Sequence, residues 1–328
     1  MNRLIRMLAT GGSAAVLTLA AAGCGSGTVS DPGGDGNGNG TGEISVETAR
    51  GPVGLPEPAA RVVSLEYAYT EELLALGVEP VGVADSEGYR TWVSAEGTEL
   101  PGGVEDVGTR QEPSIEKIRA LEPDLIVSDE DRLKENFDQL EEIAPVVSFQ
   151  PTDEPQLDTM RTNFAELGKA VGKEDEAEQV LADLDEKTAE VEERLDEAGR
   201  SGETFALAQG FSEEGAPSIR MFTGDAAAAA LLESVGLDNG WDGEPDEWGM
   251  TTVGVEGLTR VEEDAVFLYV AAEEDNPFTG ELRDNSVWQD LSFVADDRVA
   301  GLDPGTWLFG GPLSSMQLLE ETAKAFEA

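Results

Sequence analysis

The chain contains no histidine, a single cysteine (Cys24), few aromatic residues, and only 21 Lys and Arg against 68 Asp and Glu. Without histidine the commonest general base and the commonest metal ligand are gone, and no Ser-His-Asp triad can form. One cysteine excludes an internal disulfide, and zinc sites built from Cys and His are excluded with it. The same shortage argues against a receptor for free metal ions. A formal net charge of −47 repels nucleic acid and anionic lipid head groups. Such a surface stays soluble in strong brine, where screening lengths fall to about 3 Å, and points to a salt-tolerant source. Also missing are a Gly-x-Gly-x-x-Gly after the first strand, a Walker loop and a Gly-x-Ser-x-Gly elbow. The one catalytic class left open is a secreted hydrolase working with paired carboxylates, and no motif supports it.

What is present begins with an address label. Residues 1–23 carry Arg3 and Arg6, then an apolar core over 14–22 too short to be a good membrane span. They end Ala21-Ala22-Gly23 directly before Cys24, which resembles the lipobox of bacterial lipoproteins, with Ala21 where leucine is usual. That resemblance implies cleavage before Cys24 and acylation of its thiol; the alternative is an ordinary secretory signal with an incidental cysteine. Residues 24–43, rich in Gly and Asn, cannot form a core and read as a flexible tether reaching roughly 20–25 Å.

The folded body is long enough for two domains. Its organising stretch spans 174–198, where Ala177, Val180, Leu181, Leu184, Val191 and Leu195 recur at steps of three and four. That spacing predicts one helix about 37 Å long, with Asp175 and Glu176 at its positive end and Gly199 as its stop. A helix of this length suits a stiff strut joining two lobes; the alternative is an exposed helical hairpin inside one domain. A second helical pattern, from Leu157 to Val171, precedes it. On either side strands alternate with helices, which predicts mostly parallel sheets. The expected architecture is α/β: an N-terminal lobe over 44–153 opening with a β-hairpin, a helical linker over 154–199, and a C-terminal lobe over 200–328. Each lobe is expected to be a three-layer sandwich, with a ligand cleft between them.

In such sheets ligands sit beyond the C-terminal ends of the strands. Tyr67 follows the strand ending at Leu65; Tyr89 and Trp92 follow the one ending at Ala84; Arg110 follows the one ending at Val107. In the second lobe come Arg220, Trp248, Trp307 and Phe309. Four of the five tryptophans fall on predicted loops. Rings on loops suit a cleft for a large, flat-faced, partly polar guest; otherwise they seal the edges of the lobes.

The order of motifs resembles the substrate-binding proteins of ATP-driven importers for ferric siderophores, haem and cobalamin. The carrying stretches are Arg61-Val62-Val63-Ser64-Leu65, Glu71-Glu72-Leu73-Leu74-Ala75-Leu76-Gly77, Asp106-Val107-Gly108-Thr109-Arg110-Gln111-Glu112-Pro113-Ser114, Leu121-Glu122-Pro123-Asp124-Leu125-Ile126 and Leu167-Gly168-Lys169-Ala170-Val171-Gly172. The ferric-hydroxamate branch matches in further detail. Arg110 stands where that branch has an arginine on hydroxamate oxygens, and Trp248-Gly249 where it has a stacking Trp-Gly. Trp307-Leu308-Phe309-Gly310 is similar to its Trp-x-Tyr-Gly, with Phe309 in place of the tyrosine. The resemblance implies an extracytoplasmic binding component, not an enzyme, that takes a ferric siderophore with no direct protein–metal bond and no cofactor of its own. It implies two partners, an ABC permease dimer and the outer face of the cytoplasmic membrane, the latter through a lipid on Cys24. Glu116 and Glu256, in corresponding places of the two lobes, are implied to meet arginines on the permease; otherwise they are solvated helix acids. Haem or a corrinoid is the second ligand class.

Overall fold

The computed structural model describes residues 43–213 and 215–327. The leader, Cys24 and the tether up to residue 42 lie outside the described residues. Among the described residues no helix is long and apolar enough to cross a membrane.

The body opens with the expected hairpin, β1 (Ile44–Val46) against β2 (Val53–Leu55), antiparallel with Ile44 opposite Leu55. The N-terminal lobe then runs β3 (Val62–Ser64), α1 (Tyr67–Ala75), β4 (Gly82–Val83), α2 (Ser86–Trp92), β5 (Glu105–Asp106), α3 (Ile115–Ala120), β6 (Leu125–Asp129), α4 (Phe137–Glu141) and β7 (Val146–Phe149). Its five strands are all parallel, in the order β5-β4-β3-β6-β7. Successive residues feed opposite faces, as a pleated strand demands. Leu125 and Val127 pack under the hairpin and α1, and Ile126 packs on the other side with Ile118 and Leu140. With helices on both faces, β6 is buried along its whole length, which is why it reads as an apolar run.

Two linker helices follow, α5 (Gln156–Ala170) and α6 (Glu174–Glu197). At 24 residues α6 is about 36 Å long. Ala177, Val180 and Leu181 pack on the N-terminal core, whereas Leu184, Val191 and Leu195 belong to the C-terminal one. One apolar stripe thus serves two cores, and each fully buried Leu or Val contributes about 1.5–3 kcal/mol. That division is what a strut between lobes requires.

The C-terminal lobe comprises β8 (Thr204–Glu213), β9 (Ala216–Phe222), α7 (Ala227–Ser234), β10 (Asp238–Asn239), β11 (Met250–Val253), β12 (Val266–Val270), α8 (Ser286–Gln289), α9 (Ser292–Ala295), β13 (Val299–Gly301) and α10 (Pro312–Glu327). Its sheet is ordered β11-β9-β8-β12-β13, with β10 beside the start of β8. β8, β12 and β13 run parallel; β9 is antiparallel to both β8 and β11. Phe205, Leu207 and Leu268 face α6, α7 and α10, while Ala206, Ala208 and Phe267 face Trp288 and Phe293.

Three expectations change in detail. The second sheet is mixed, because β8 runs on for ten residues and folds back as a hairpin. Residues 133–143, whose sequence reads as one helix, are helical only over the short α4, and a separate 3₁₀ turn over Glu130–Arg132 precedes them. Tyr89 and Trp92, read as loop residues, lie on α2, which is started by the Asp85 carboxylate accepting from the Gly88 N–H at 3.2 Å.

Candidate functional site

The strand order of the N-terminal sheet changes direction between β3 and β6, so the connections leaving these neighbours diverge and open a crevice at their C-terminal ends. Glu66 stands there. It caps α1, with Oε1 accepting from the Tyr67 N–H at 3.0 Å. The same oxygen pairs with Arg110 Nη1 at 2.6 Å, and Oε2 accepts from Arg132 Nε. Asp129, at the end of β6, lies 3.8 Å from Arg132 and accepts from the Tyr69 hydroxyl at 2.8 Å. Burial first, and the charge of Glu66 second, push the Asp129 carboxyl up to about 8.

Arg110 reaches this carboxylate because its loop turns sharply. Gly108 has φ +108°, and a Cβ there would lie 3.0 Å from the Glu112 carbonyl, so the turn admits only glycine. The guanidinium stacks 3.9 Å over the Tyr67 ring. Burial works against its charge, yet Glu66 more than offsets this and the Arg110 pKa is raised. Its Nε is buried and has no hydrogen-bond partner among the described residues; neither has Nε1 of Trp307. A buried donor left unpaired costs about 1–3 kcal/mol, so both are poised for an acceptor.

The opposite wall comes from the C-terminal lobe. Rings run in series: Trp248 to Phe309 at 5.9 Å, Phe309 to Trp307 at 5.1 Å, Trp307 to Trp92 at 6.2 Å and to Tyr67 at 5.4 Å. Arg220, on β9, donates to Gln209 at 3.0 Å and lies 4.7 Å over the Phe211 ring; burial lowers its pKa. Between these walls is a cavity of about 750 Å³. Its lining carries six acids and four bases, so the space favours a neutral or cationic guest.

Of the residues proposed from sequence, Arg110, Arg220, Trp248, Trp307 and Phe309 line this cavity. Tyr67, Tyr89 and Trp92 do not. Tyr67 is buried beneath Arg110, with its hydroxyl donating to Asp85; burial, then that bond, raise its pKa. Tyr89 is buried behind it, donating to the Thr98 carbonyl at 2.9 Å, and Trp92 backs Trp307. They support the wall from behind. Asp129 and Arg132 were missed, and Glu66, which follows the first strand, was not taken as a site residue, although Glu66 and Asp129 both sit at strand ends. Glu116 and Glu256 are exposed in the first turns of α3 and of the 3₁₀ helix Val255–Arg260.

A family model described as periplasmic binding protein matches residues 62–306. The chain is similar to the lipoprotein YhfQ of Bacillus subtilis, at 31% identity over 81% of this chain and 82% of that one. It is similar to the iron(3+)-hydroxamate-binding protein FhuD of Escherichia coli, at 29% identity over 79% and 84%. Among solved structures, the Fe3+–Desferal-bound siderophore-binding protein FhuD of Vibrio cholerae superposes with a TM-score of 0.73 at 28% identity, covering 82% of this chain and 98% of that one.

Proposed function

We propose a function from one premise: the chain belongs to the periplasmic binding protein family whose model spans most of its length. It is the extracytoplasmic receptor of an ABC importer, and it captures a ferric siderophore of the hydroxamate class in the cavity between its lobes. The observation that carries this reading is a cavity of about 750 Å³ lined by Arg110 and Trp307, each of which holds a buried donor, Nε and Nε1, without a partner among the described residues. Hydroxamate oxygens accept from both, and Glu66 holds the guanidinium in place from behind. Trp248, Trp307 and Phe309 cover the apolar shell of the chelate, and Arg220 faces it from β9. The iron travels as cargo inside its chelate, bonded to no protein atom. An acid-rich lining disfavours a trianionic catecholate complex.

Delivery follows capture. Because α6 is shared by both cores, closure is a rotation of a few degrees rather than a wide clamshell. Glu116 and Glu256 dock the loaded protein on permease arginines. Acylation of Cys24 keeps the body at the membrane. No bond of the guest is made or broken.

A titration of tryptophan fluorescence with ferric hydroxamate, catecholate and carboxylate chelates and with haem tests the reading. Saturable quenching by a hydroxamate, recovered chemically unchanged, supports it. Quenching by haem alone moves the function to macrocycle uptake, and conversion of the ligand would make the protein an enzyme.

A further inference from the structure

A second, smaller cavity of about 50 Å³ lies beside the large one and shares Ala68, Pro151, Trp248 and Phe309 with it. It is large enough for a few waters or one small polar group, and too small for an iron chelate. Met160, Phe222, Leu308 and two alanines make most of its wall apolar. Into this wall α1 brings Glu72, which is 2% exposed and whose Oε2 has no hydrogen-bond partner among the described residues. Of the neighbouring polar side chains, Asn163 also lines the cavity, and the other two are already committed. The Tyr69 hydroxyl donates to Asp129, and the Gln156 amide accepts from the Ala227 N–H at 3.4 Å and donates to the Glu247 carbonyl at 3.2 Å. Among the described residues Glu72 thus has no cation of its own. Burial, with Glu71 and Asp129 adding to it, raises its pKa.

A buried carboxyl without a partner is costly, and it is relieved by a positive charge that fits. A bare calcium or magnesium ion needs six or more oxygen ligands, and a zinc ion several Cys, His or carboxylate ligands, which this wall lacks. An alkylammonium needs one counter-charge and tolerates apolar and aromatic neighbours, and the rings of Trp248 and Phe309 stand at the shared boundary.

We propose that this small cavity is a subsite for a primary-ammonium arm of the bound chelate, with Glu72 as its counter-ion. The subsite rests on the chelate-binding function above and narrows it to guests whose iron-binding part carries a short amine tail. The tail enters between Trp248 and Ala68 while the iron centre stays against Arg110 in the large cavity.

The test compares two probes: a linear ferric trihydroxamate ending in a primary amine, and the same chelate with that amine acetylated. Fluorescence titrations of the wild type, Glu72→Gln and Ala227→Leu give the affinity ratio of amine to acetylated form. The wild type should prefer the amine by about tenfold or more, as for one desolvated charged hydrogen bond. Both variants should bring the ratio near one, Glu72→Gln by removing the charge and Ala227→Leu by filling the space from the other lobe. The two substitutions act from different elements, so poor folding of one, seen in its melting temperature, leaves the other to decide. Equal affinity of the wild type for both probes, or a full preference retained by the folded variants, overturns the subsite alone. Failure of both probes to quench the wild type overturns the chelate-binding function, and the subsite with it.

Discussion

Glu71, on α1 of the first lobe, accepts two hydrogen bonds from Ser314, on α10 of the second: the backbone N–H at 2.7 Å and the hydroxyl at 2.6 Å. Glu71 is wholly buried, and Pro312 opens α10 just before Ser314. The first N–H groups of a helix have no internal acceptor, so a carboxylate from one lobe caps a helix of the other. Gly310 permits the approach, since a Cβ there would lie 2.6 Å from Glu71 Oε2. Burial raises the Glu71 pKa, and the bonds from Ser314 pull the other way. Glu71→Ala should therefore cost about 2–4 kcal/mol, as for a buried charged acceptor removed from its donors. Urea unfolding of the unliganded protein measures it; a loss below about 0.5 kcal/mol, the size of an ordinary surface change, would show that the contact does not join the lobes.

Arg110 should dominate chelate affinity. Its Nη1 is held by Glu66 and its Nε is the free donor, so Arg110→Ala removes a charged hydrogen bond worth about 1.5–3 kcal/mol. That is a loss of roughly 10- to 150-fold in affinity for a ferric hydroxamate. Arg110→Lys should not restore it, because an ammonium cannot pair with Glu66 and present a second, fixed donor to the guest. Wild-type affinity in the lysine variant would mean that charge alone is read.

Much of the fold was legible because its signals have contrast. The stripe from Ala177 to Leu195 keeps helical period over about five turns, and no strand imitates that. Ser114 announces α3 as its cap, and its side chain does accept from the Lys117 N–H. Trp248, Trp307 and Phe309 stood out because large rings are rare on loops. Tyr67, Tyr89 and Trp92 gave the same signal and proved to be support, since position beyond a strand does not say which way a ring faces. Glu66 follows the first strand and Glu71-Glu72 belong to a stretch that carries the resemblance, but nothing in the sequence marked any of the three as buried. Among 68 acids one more carboxylate has no contrast, and only the packing of α1 between two lobes reveals that these three are buried. The hairpin of β8 and β9 was missed in part because its polar outer half, Ser212 and Glu213, reads as loop.

Asp129 should make stability depend on pH. Its carboxyl is raised from 3.8 to about 8, so between those values the folded chain holds a proton that the unfolded chain has released. The stability from this group is fully present below about pH 4 and is lost as pH rises through about 8. Relative to Asp129→Asn, the wild type should lose urea stability from about pH 5 to about pH 8, by no more than about 1.4 kcal/mol per pH unit. The comparison with the asparagine variant cancels the general effect of the acidic surface. A constant difference across that range would mean that Asp129 is ionised throughout.

Salt should stabilise the chain. With a formal charge of −47 the folded state repels itself, and raising sodium chloride from about 0.1 M to about 1 M shortens the screening length from about 10 Å to about 3 Å. The midpoint of urea unfolding should rise over that range. The pair of Arg110 and Glu66 is largely screened from solvent already, so chelate affinity should change less than stability does. A midpoint independent of salt would show that the acids are spaced widely enough not to interact.

Glu116 and Glu256 offer the sharpest separation of capture from delivery. Each is exposed in the first turn of a short helix, one in each lobe, and neither lines the cavity. An acid in a first turn is favoured by the helix dipole, which accounts for its sign there but not for its recurrence in both lobes. If the two meet permease arginines, reversing both charges puts like charges in contact at two points of one interface, and rim repulsion of that kind costs several kcal/mol. The double variant Glu116→Arg with Glu256→Arg should therefore bind the ferric chelate as the wild type does and fail to support uptake by cells. Quenching titrations and iron-uptake assays on the same variant give the two numbers. Normal uptake would remove both acids from the docking surface, while a loss of chelate binding would place the substitutions' effect inside the receptor and not at its contact with the permease.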